Sequence, residues 1–281
     1  MTLLIFRQNL YQSLESHYPK TEIDSFFKII LEDVLNLSKI DFALNPNNTI
    51  PAHQHKIIED IIGGLVKQEP IQYLIGFTEF MGLSFQVNPN VLIPRPETEA
   101  LIDWIGTDFQ FQNKLEILDI GTGSGCIPIC LAKNIKNATV SSIDVSSKAI
   151  EVAKLNAIHN GVDVNFINQD ILATQSLHQQ FDVIVSNPPY VRNLEKEEMQ
   201  KNVLDYEPHL ALFVEDHDPL IFYQKIAELA KNHLKPKGAL YFEINQYLGT
   251  ETVELVKNIG FKTVELKQDM FGKDRMIKAG L

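Results

Sequence analysis

An α/β fold, built on a mainly parallel sheet with helices on both faces and preceded by a small helical bundle, is the architecture this sequence predicts. Three observations predict it. From about residue 115 onward, strand-like and helix-like segments alternate. The first 75 or so residues instead carry apolar side chains at helical spacing. The composition, 44% apolar and 22% charged in 281 residues, is ordinary globular usage at a length that suits one large domain with a smaller companion.

The helical part comes first. Leu3, Leu4, Leu10 and Leu14 recur near the helical period up to Pro19. Thr21 with Asp24 reads as the cap of a second segment, in which Ile23, Phe26, Phe27, Ile30, Leu31, Val34 and Leu35 form an apolar stripe. Asn45-Pro46-Asn47-Asn48 reads as a turn. After Pro51 the pattern resumes at Ile57, Ile58, Ile61, Ile62 and Leu65, with Gly63-Gly64 weakening its last turn. No catalytic spacing occurs here, so residues 1–76 are expected to be a helical docking domain. Residues 77–93 read as a short hairpin linker, and residues 94–281 as the α/β domain. Thr98, after Pro94-Arg95-Pro96, is expected to cap a helix through Ile102 and Trp104.

The strand candidates are Leu115–Ile120, Thr139–Asp144, Val164–Asn168, Phe181–Ser186, Ala239–Ile244 and Lys262–Leu266. Helical stretches such as Ser147–Asn160 and Asp218–Leu234 separate them.

Charge and cysteine content exclude several classes. The net charge is −11. Residues 1–76 carry 6 basic and 9 acidic residues, and residues 77–281 carry 19 and 27, so neither part has the basic excess that phosphate-backbone binding needs. A dedicated DNA or RNA binder is disfavoured. Cys126 and Cys130 stand four apart, on one face of one helix, and are read as small buried hydrophobes in a reducing compartment. The early apolar run Leu3–Phe6 is too short for a signal peptide or a membrane span, so a cytoplasmic protein with no membrane partner is expected.

Two motifs carry chemistry. The first is Asp119-Ile120-Gly121-Thr122-Gly123-Ser124-Gly125, between a strand candidate and a helix. Its glycines allow close backbone approach to a ligand at a helix N-terminus. The spacing is neither the dinucleotide fingerprint nor a P-loop. Asp144 ends the next strand, 23 residues after Gly121, where an acidic residue can accept both hydroxyls of a ribose. Asp170, after the third strand, could accept from an adenine amino group with Ile171 packed on the ring; a solvated loop carboxylate is the alternative. The second motif is Asn187-Pro188-Pro189-Tyr190. Its prolines stiffen the turn after a central strand and leave carbonyls free. The Asn187 side-chain oxygen and the Pro188 carbonyl make two acceptors for a planar NH₂ group, and Tyr190 offers a face for stacking.

The glycine loop, Asp144 and Asn187-Pro188-Pro189-Tyr190 resemble class I S-adenosylmethionine methyltransferases that act on planar NH₂ groups. More narrowly, the chain resembles the release-factor glutamine methyltransferases, the PrmC/HemK family. Glu69 to Gly76, Ile93-Pro94-Arg95-Pro96-Glu97-Thr98-Glu99, Glu207-Pro208, Gly272 and Arg275 carry the resemblance over nearly the whole length. It implies a Rossmann-like catalytic domain behind a small N-terminal helical domain. It implies S-adenosylmethionine as cofactor, held by the residues from Gly121 to Gly125, by Asp144, Ile171 and Asn187. It implies peptide chain release factors as protein substrate, with the glutamine amide of a Gly-Gly-Gln loop held by Asn187 to Tyr190. A monomer needing no metal is expected.

The sequence departs from the family pattern at His217-Asp218-Pro219, where a Gly-rich turn is usual, and at Asn245, where a Gly is usual. Both are expected to lie away from the two motifs. The rival readings are a ribosomal-protein glutamine methyltransferase, identical in chemistry, and an adenine-N6 DNA methyltransferase, which uses the same four-residue motif on a flipped base. The −8 balance of residues 77–281 argues against the second.

Overall fold

Leucines, isoleucines and phenylalanines at helical spacing close a bundle over residues 1–77 in the computed structural model, which describes residues 1–112, 114–269 and 271–281. Its helices are α1 (Leu3–Leu14), α2 (Lys20–Ile29, running into a π turn at Ile30–Val34), α3 (Lys39–Leu44), α4 (Ala52–Val66) and α5 (Ile71–Ile75). Phe6, Leu10, Ile23, Ile30, Leu31, Ile58 and Leu65 are fully buried in one core, whereas Leu4 and Ile57 face solvent. Helix α2 starts at Lys20 after Pro19 with no side-chain cap, so Thr21 does not cap it; Asp24 instead pairs with Arg7 at 3.0 Å. Helix α4 runs through Gly63-Gly64 to Val66. A Cβ on Gly64 would lie 2.2 Å from Leu74 Cδ2, so an alanine there would force the Leu74 side chain of α5 to shift.

The second unit comprises residues 78–199 and 207–281. It opens with the hairpin β1 (Phe77–Phe80) and β2 (Leu83–Gln86). The hairpin is fastened into this unit. The fully buried Asn156 accepts from Gln86 N at 2.7 Å and donates to Gln86 O and to Ser124 O, tying the hairpin to the glycine loop. There follow α6 (Pro96–Asp108), β3 (Glu116–Ile120), α7 (Cys126–Asn134), β4 (Thr139–Asp144), α8 (Ser147–Asn160), β5 (Asn165–Asn168), β6 (Phe181–Ser186), the two-residue β7 (Val191–Arg192), α9 (Lys201–Tyr206), α10 (His209–Leu212), the two-residue β8 (Phe213–Val214), α11 (Ile221–His233), β9 (Leu234–Glu243), α12 (Gly249–Ile259), β10 (Thr263–Gln268) and β11 (Asp274–Gly280). Helix α9 clusters with the first unit, where Tyr206 donates to Lys67 O at 2.9 Å.

The main sheet has seven strands in the order β10-β11-β9-β6-β3-β4-β5. β5, β4, β3, β6 and β9 are parallel; β11 is antiparallel to both neighbours. The central strands β3 and β6 are largely apolar because both sheet faces are covered there: Ile117, Val183 and Val185 belong to one core layer, Leu118, Ile184 and, on β9, Leu240 to the other. Cys126 and Cys130 are free thiols on α7, and burial pushes the Cys126 thiol up to about 12. Among the described residues, no helix is long and apolar enough to cross a membrane.

Candidate active site

Strand order places the site. The chain fills one side of β3 with β4 and β5, then returns to place β6 on its other side. Such a reversal leaves a crevice at the carboxyl ends of the two central strands. The parallel register sets Ile120 beside Ser186 and Ile120 beside Ile143, so Gly121, Asn187 and Asp144 follow at three adjacent strand ends. Ser186 Oγ donates to Ile120 O at 2.6 Å and locks the two central ends together.

The glycine loop turns sharply there. Gly121 N donates to Ile143 O at 2.8 Å, with φ +90°. At Gly125 (φ +84°) a Cβ would come within 2.9 Å of Ile129 and 3.1 Å of Ala153, so the glycine lets α7 and α8 meet. Asp144 holds the loop in place. Its Oδ2 accepts from Gly123 N at 2.9 Å and its Oδ1 from Ser146 N at 2.8 Å. Burial raises the Asp144 pKa, opposed by the backbone N–H groups of Gly123, Ser146 and Val145. Beneath the loop, the fully buried Asp119 accepts from Ser142 Oγ at 2.5 Å, and Ser142 contacts Thr122 Oγ1. Burial, reinforced by the Asp144 charge and opposed by Ser142, pushes the Asp119 carboxyl up to about 7.

A cavity of about 290 Å³ opens over these strand ends, near the lower end of small-molecule sites at roughly 300 Å³. Gly121, Thr122, Gly123, Ser124, Asp144, Asp170, Ile171, Asn187, Pro188 and Pro189 line it. Two predicted site residues do not. Gly125 lies behind the loop as the N-cap residue of α7. Tyr190 is half-buried against the core layer under α11, and its hydroxyl donates to Glu243 Oε1 at 3.1 Å, so its ring is not a wall of the cavity. Asp170 is exposed at the rim and accepts from Leu172 N at 2.8 Å.

Several contributors were not predicted as site residues. Thr98 caps nothing; α6 begins at Pro96, and the Thr98 side chain is buried at the cavity floor. It accepts from Asn187 Nδ2 at 3.4 Å and donates to Glu243 Oε2 at 2.6 Å. Glu243, 1% exposed, thus takes two hydroxyl hydrogen bonds; burial raises its pKa while Thr98, Tyr190 and the Arg275 charge pull it down. Arg95 lines the cavity and pairs with the buried Glu207 at 2.6 Å, and Glu207 also accepts from Ile93 N. Phe222 and Ile226 of α11 add apolar wall. The motifs at residues 93–99 and 207–208 carry the family resemblance but give no place in the site to these residues. Asn245 does not lie away from the motifs as expected. Its side chain donates to Tyr190 O at 2.9 Å and to both Glu195 oxygens, filling with a bridging amide the space behind the Asn-Pro-Pro-Tyr loop.

A glycine loop and an Asn-Pro-Pro-Tyr loop side by side at the switch point of a doubly wound sheet define a Rossmann-like methyltransferase. Comparison with known proteins gives the same class. The Methyltransferase small domain matches residues 97–206, and the PrmC N-terminal domain matches residues 7–76. A release factor glutamine methyltransferase of Flavobacterium psychrophilum is 54% identical over 281 residues, 99% of each chain. One of Bacteroides thetaiotaomicron is 44% identical over 95% of this chain and 96% of its own. Among solved structures, a methyltransferase from Pyrococcus furiosus shares the fold, with a TM-score of 0.53 at 19% identity over 82% of this chain and 98% of its own. The chain belongs to the release factor glutamine methyltransferase family.

Proposed function

We propose that this protein transfers a methyl group from S-adenosylmethionine to the side-chain amide nitrogen (N5) of the glutamine in the Gly-Gly-Gln motif of peptide chain release factors. The observation that carries the reading is the adjacency of the two loops. The glycine loop after β3 and the Asn187 loop after β6 open on one cavity, so a cofactor held by the first meets an amide held by the second. The residues present fit the cofactor. Gly123 faces open space, and the Asp144 carboxylate, which accepts from Gly123 N and Ser146 N, lines the cavity where a ribose hydroxyl can donate to it. Ile171 supplies an apolar surface for the base.

S-adenosylmethionine supplies a methyl already activated on a sulfonium. This chain's residues do the rest. An amide nitrogen is a poor nucleophile, so alignment matters most. Asn187 Oδ1 and the Pro188 carbonyl accept the two N–H donors of the glutamine amide, and they stabilise the positive charge that grows on nitrogen during attack. The rigid double proline holds both acceptors in place without reorganisation. Tyr190 anchors the loop from behind through Glu243.

We further infer that residues 1–76 recognise the release factor beyond its glutamine loop and that the enzyme works as a cytoplasmic monomer on protein alone. Intact release factor should then be methylated with a higher kcat/KM than a short Gly-Gly-Gln peptide. The primary test is mass spectrometry of a release factor incubated with enzyme and S-adenosylmethionine. One methyl on that glutamine is expected. Asn187→Ala should lower the rate about 10²–10³-fold, the typical effect of losing one preorganised polar contact. Methylated adenine in DNA beside an untouched release factor would overturn the reading.

A further inference from the structure

We propose that Thr98, polarised by Glu243, is a positioning residue that fixes which end of the Asn187 amide faces the substrate. The inference rests on the proposed function, and it concerns a residue outside both loops.

An Asn side chain can present either its oxygen or its NH₂ to a cavity, and the two ends are nearly the same shape. Only the oxygen can accept from a substrate amide. The Asn-Pro-Pro-Tyr loop alone does not choose between them; the hydrogen-bond chain behind it does. Glu243 is 1% exposed on the last residue of β9. Both of its oxygens act as acceptors, one for each of two hydroxyls. Thr98 Oγ1 lies 2.6 Å from Glu243 Oε2, and Tyr190 Oη lies 3.1 Å from Oε1. A threonine hydroxyl has one hydrogen, and Thr98 commits it to Glu243. What remains on Thr98 Oγ1 is lone pairs. Asn187, 3.4 Å away, must therefore turn its Nδ2 to Thr98, which leaves Oδ1 for the cavity. The acceptor character of one buried carboxylate is relayed through one hydroxyl to the amide that meets substrate.

The same chain holds the loop at both ends. Asn187 is tied to Glu243 through Thr98, and Tyr190 is tied to it directly. All four residues lie in the catalytic unit, on α6, β9 and the loop after β6.

The test is a double-mutant cycle on the full-length enzyme with intact release factor. Thr98→Val keeps the shape of the buried side chain and removes the hydroxyl, so the Asn187 amide loses its director. kcat should fall on the order of tenfold or more, the usual effect of removing a group that orients a reacting one. KM for release factor and the dissociation constant for S-adenosylmethionine should stay near wild type. Thr98→Ser, which keeps the hydroxyl, should restore kcat. Because Thr98 acts through Asn187, Thr98→Val should cost nothing further in an Asn187→Ala background. Thr98→Ala should reproduce the kcat loss if valine disturbs the packing. Wild-type kcat in both Thr98→Val and Thr98→Ala would overturn the inference, and so would a loss fully additive with Asn187→Ala. Full activity in Asn187→Ala is a separate outcome: it removes the site reading, and this inference with it.

Discussion

Replacing Asp144 with alanine removes a carboxylate that the protein already uses twice. Oδ2 holds Gly123 N at 2.9 Å and Oδ1 holds Ser146 N at 2.8 Å, at the end of the strand beside the glycine loop. In the proposed complex each oxygen also accepts one ribose hydroxyl. A hydrogen bond to a charged group contributes about 1.5–3 kcal/mol net, so two of them contribute at least about 3 kcal/mol. That corresponds to roughly a hundredfold weaker S-adenosylmethionine binding. The loop itself loosens as well, because Gly123 N loses its acceptor, so the affinity loss should exceed the ribose contribution alone. Helix α8 should survive, since its cap is a separate bond, Ser146 Oγ accepting from Ala149 N. Asp170→Ala is the matched comparison. Its carboxylate is exposed at the cavity rim, where it accepts from Leu172 N, so its loss should weaken binding less. Calorimetry with S-adenosylmethionine on the wild type and both variants, with thermal melts to show that each is folded, measures the difference. A folded Asp144→Ala variant binding within threefold of wild type would refute the reasoning, as would a larger loss from Asp170→Ala.

Two further predictions concern stability. Gly63→Ala should stabilise the protein by about 0.5–1 kcal/mol, since a Cβ there meets nothing within 4 Å in a helix interior, whereas Gly64→Ala should destabilise it by about 1–3 kcal/mol against Leu74; denaturant midpoints should move in opposite directions. Asp119 has its folded-state pKa raised to about 7 from an ordinary value near 3.9, so the folded state holds the proton more tightly and stability from this group falls as pH rises between those values, by up to about 1.4 kcal/mol per pH unit. Asp119→Asn cannot titrate, so its stability relative to wild type should rise between pH 4.5 and 7.5; a pH-independent difference would show that Asp119 is already ionised throughout.

What the sequence made legible, and what it did not, follows from the range of the interactions involved. β4, β6 and α8 have the limits expected from apolar runs and caps, because those signals are local. The glycine loop and the Asn187 loop were legible for the same reason, since glycine spacing and paired prolines constrain the backbone where they stand. β11 was not anticipated. It is inserted antiparallel between β9 and β10, and Asp274–Gly280 mixes Arg275 and Lys278 with Met276 and Ile277, so its apolar pattern is weak. Thr98 looked like a helix cap because a threonine after two prolines commonly is one; only the approach of β9, 145 positions later in the chain, gives its hydroxyl a different acceptor. The motif marks Tyr190 without showing where its hydroxyl goes, and it is the buried Glu243 that accepts it. Asn245, counted as a departure remote from the site, bridges Tyr190 O and Glu195. All three involve a polar side chain whose partner is distant in sequence and buried. An unpaired buried polar group costs about 1–3 kcal/mol, enough to override the local preference that the sequence displays. In this fold the residues that meet ligand are therefore written into short motifs. Those that orient them are distributed over α6, the loop after β6 and β9, and they meet only when the parallel sheet brings the strand ends together.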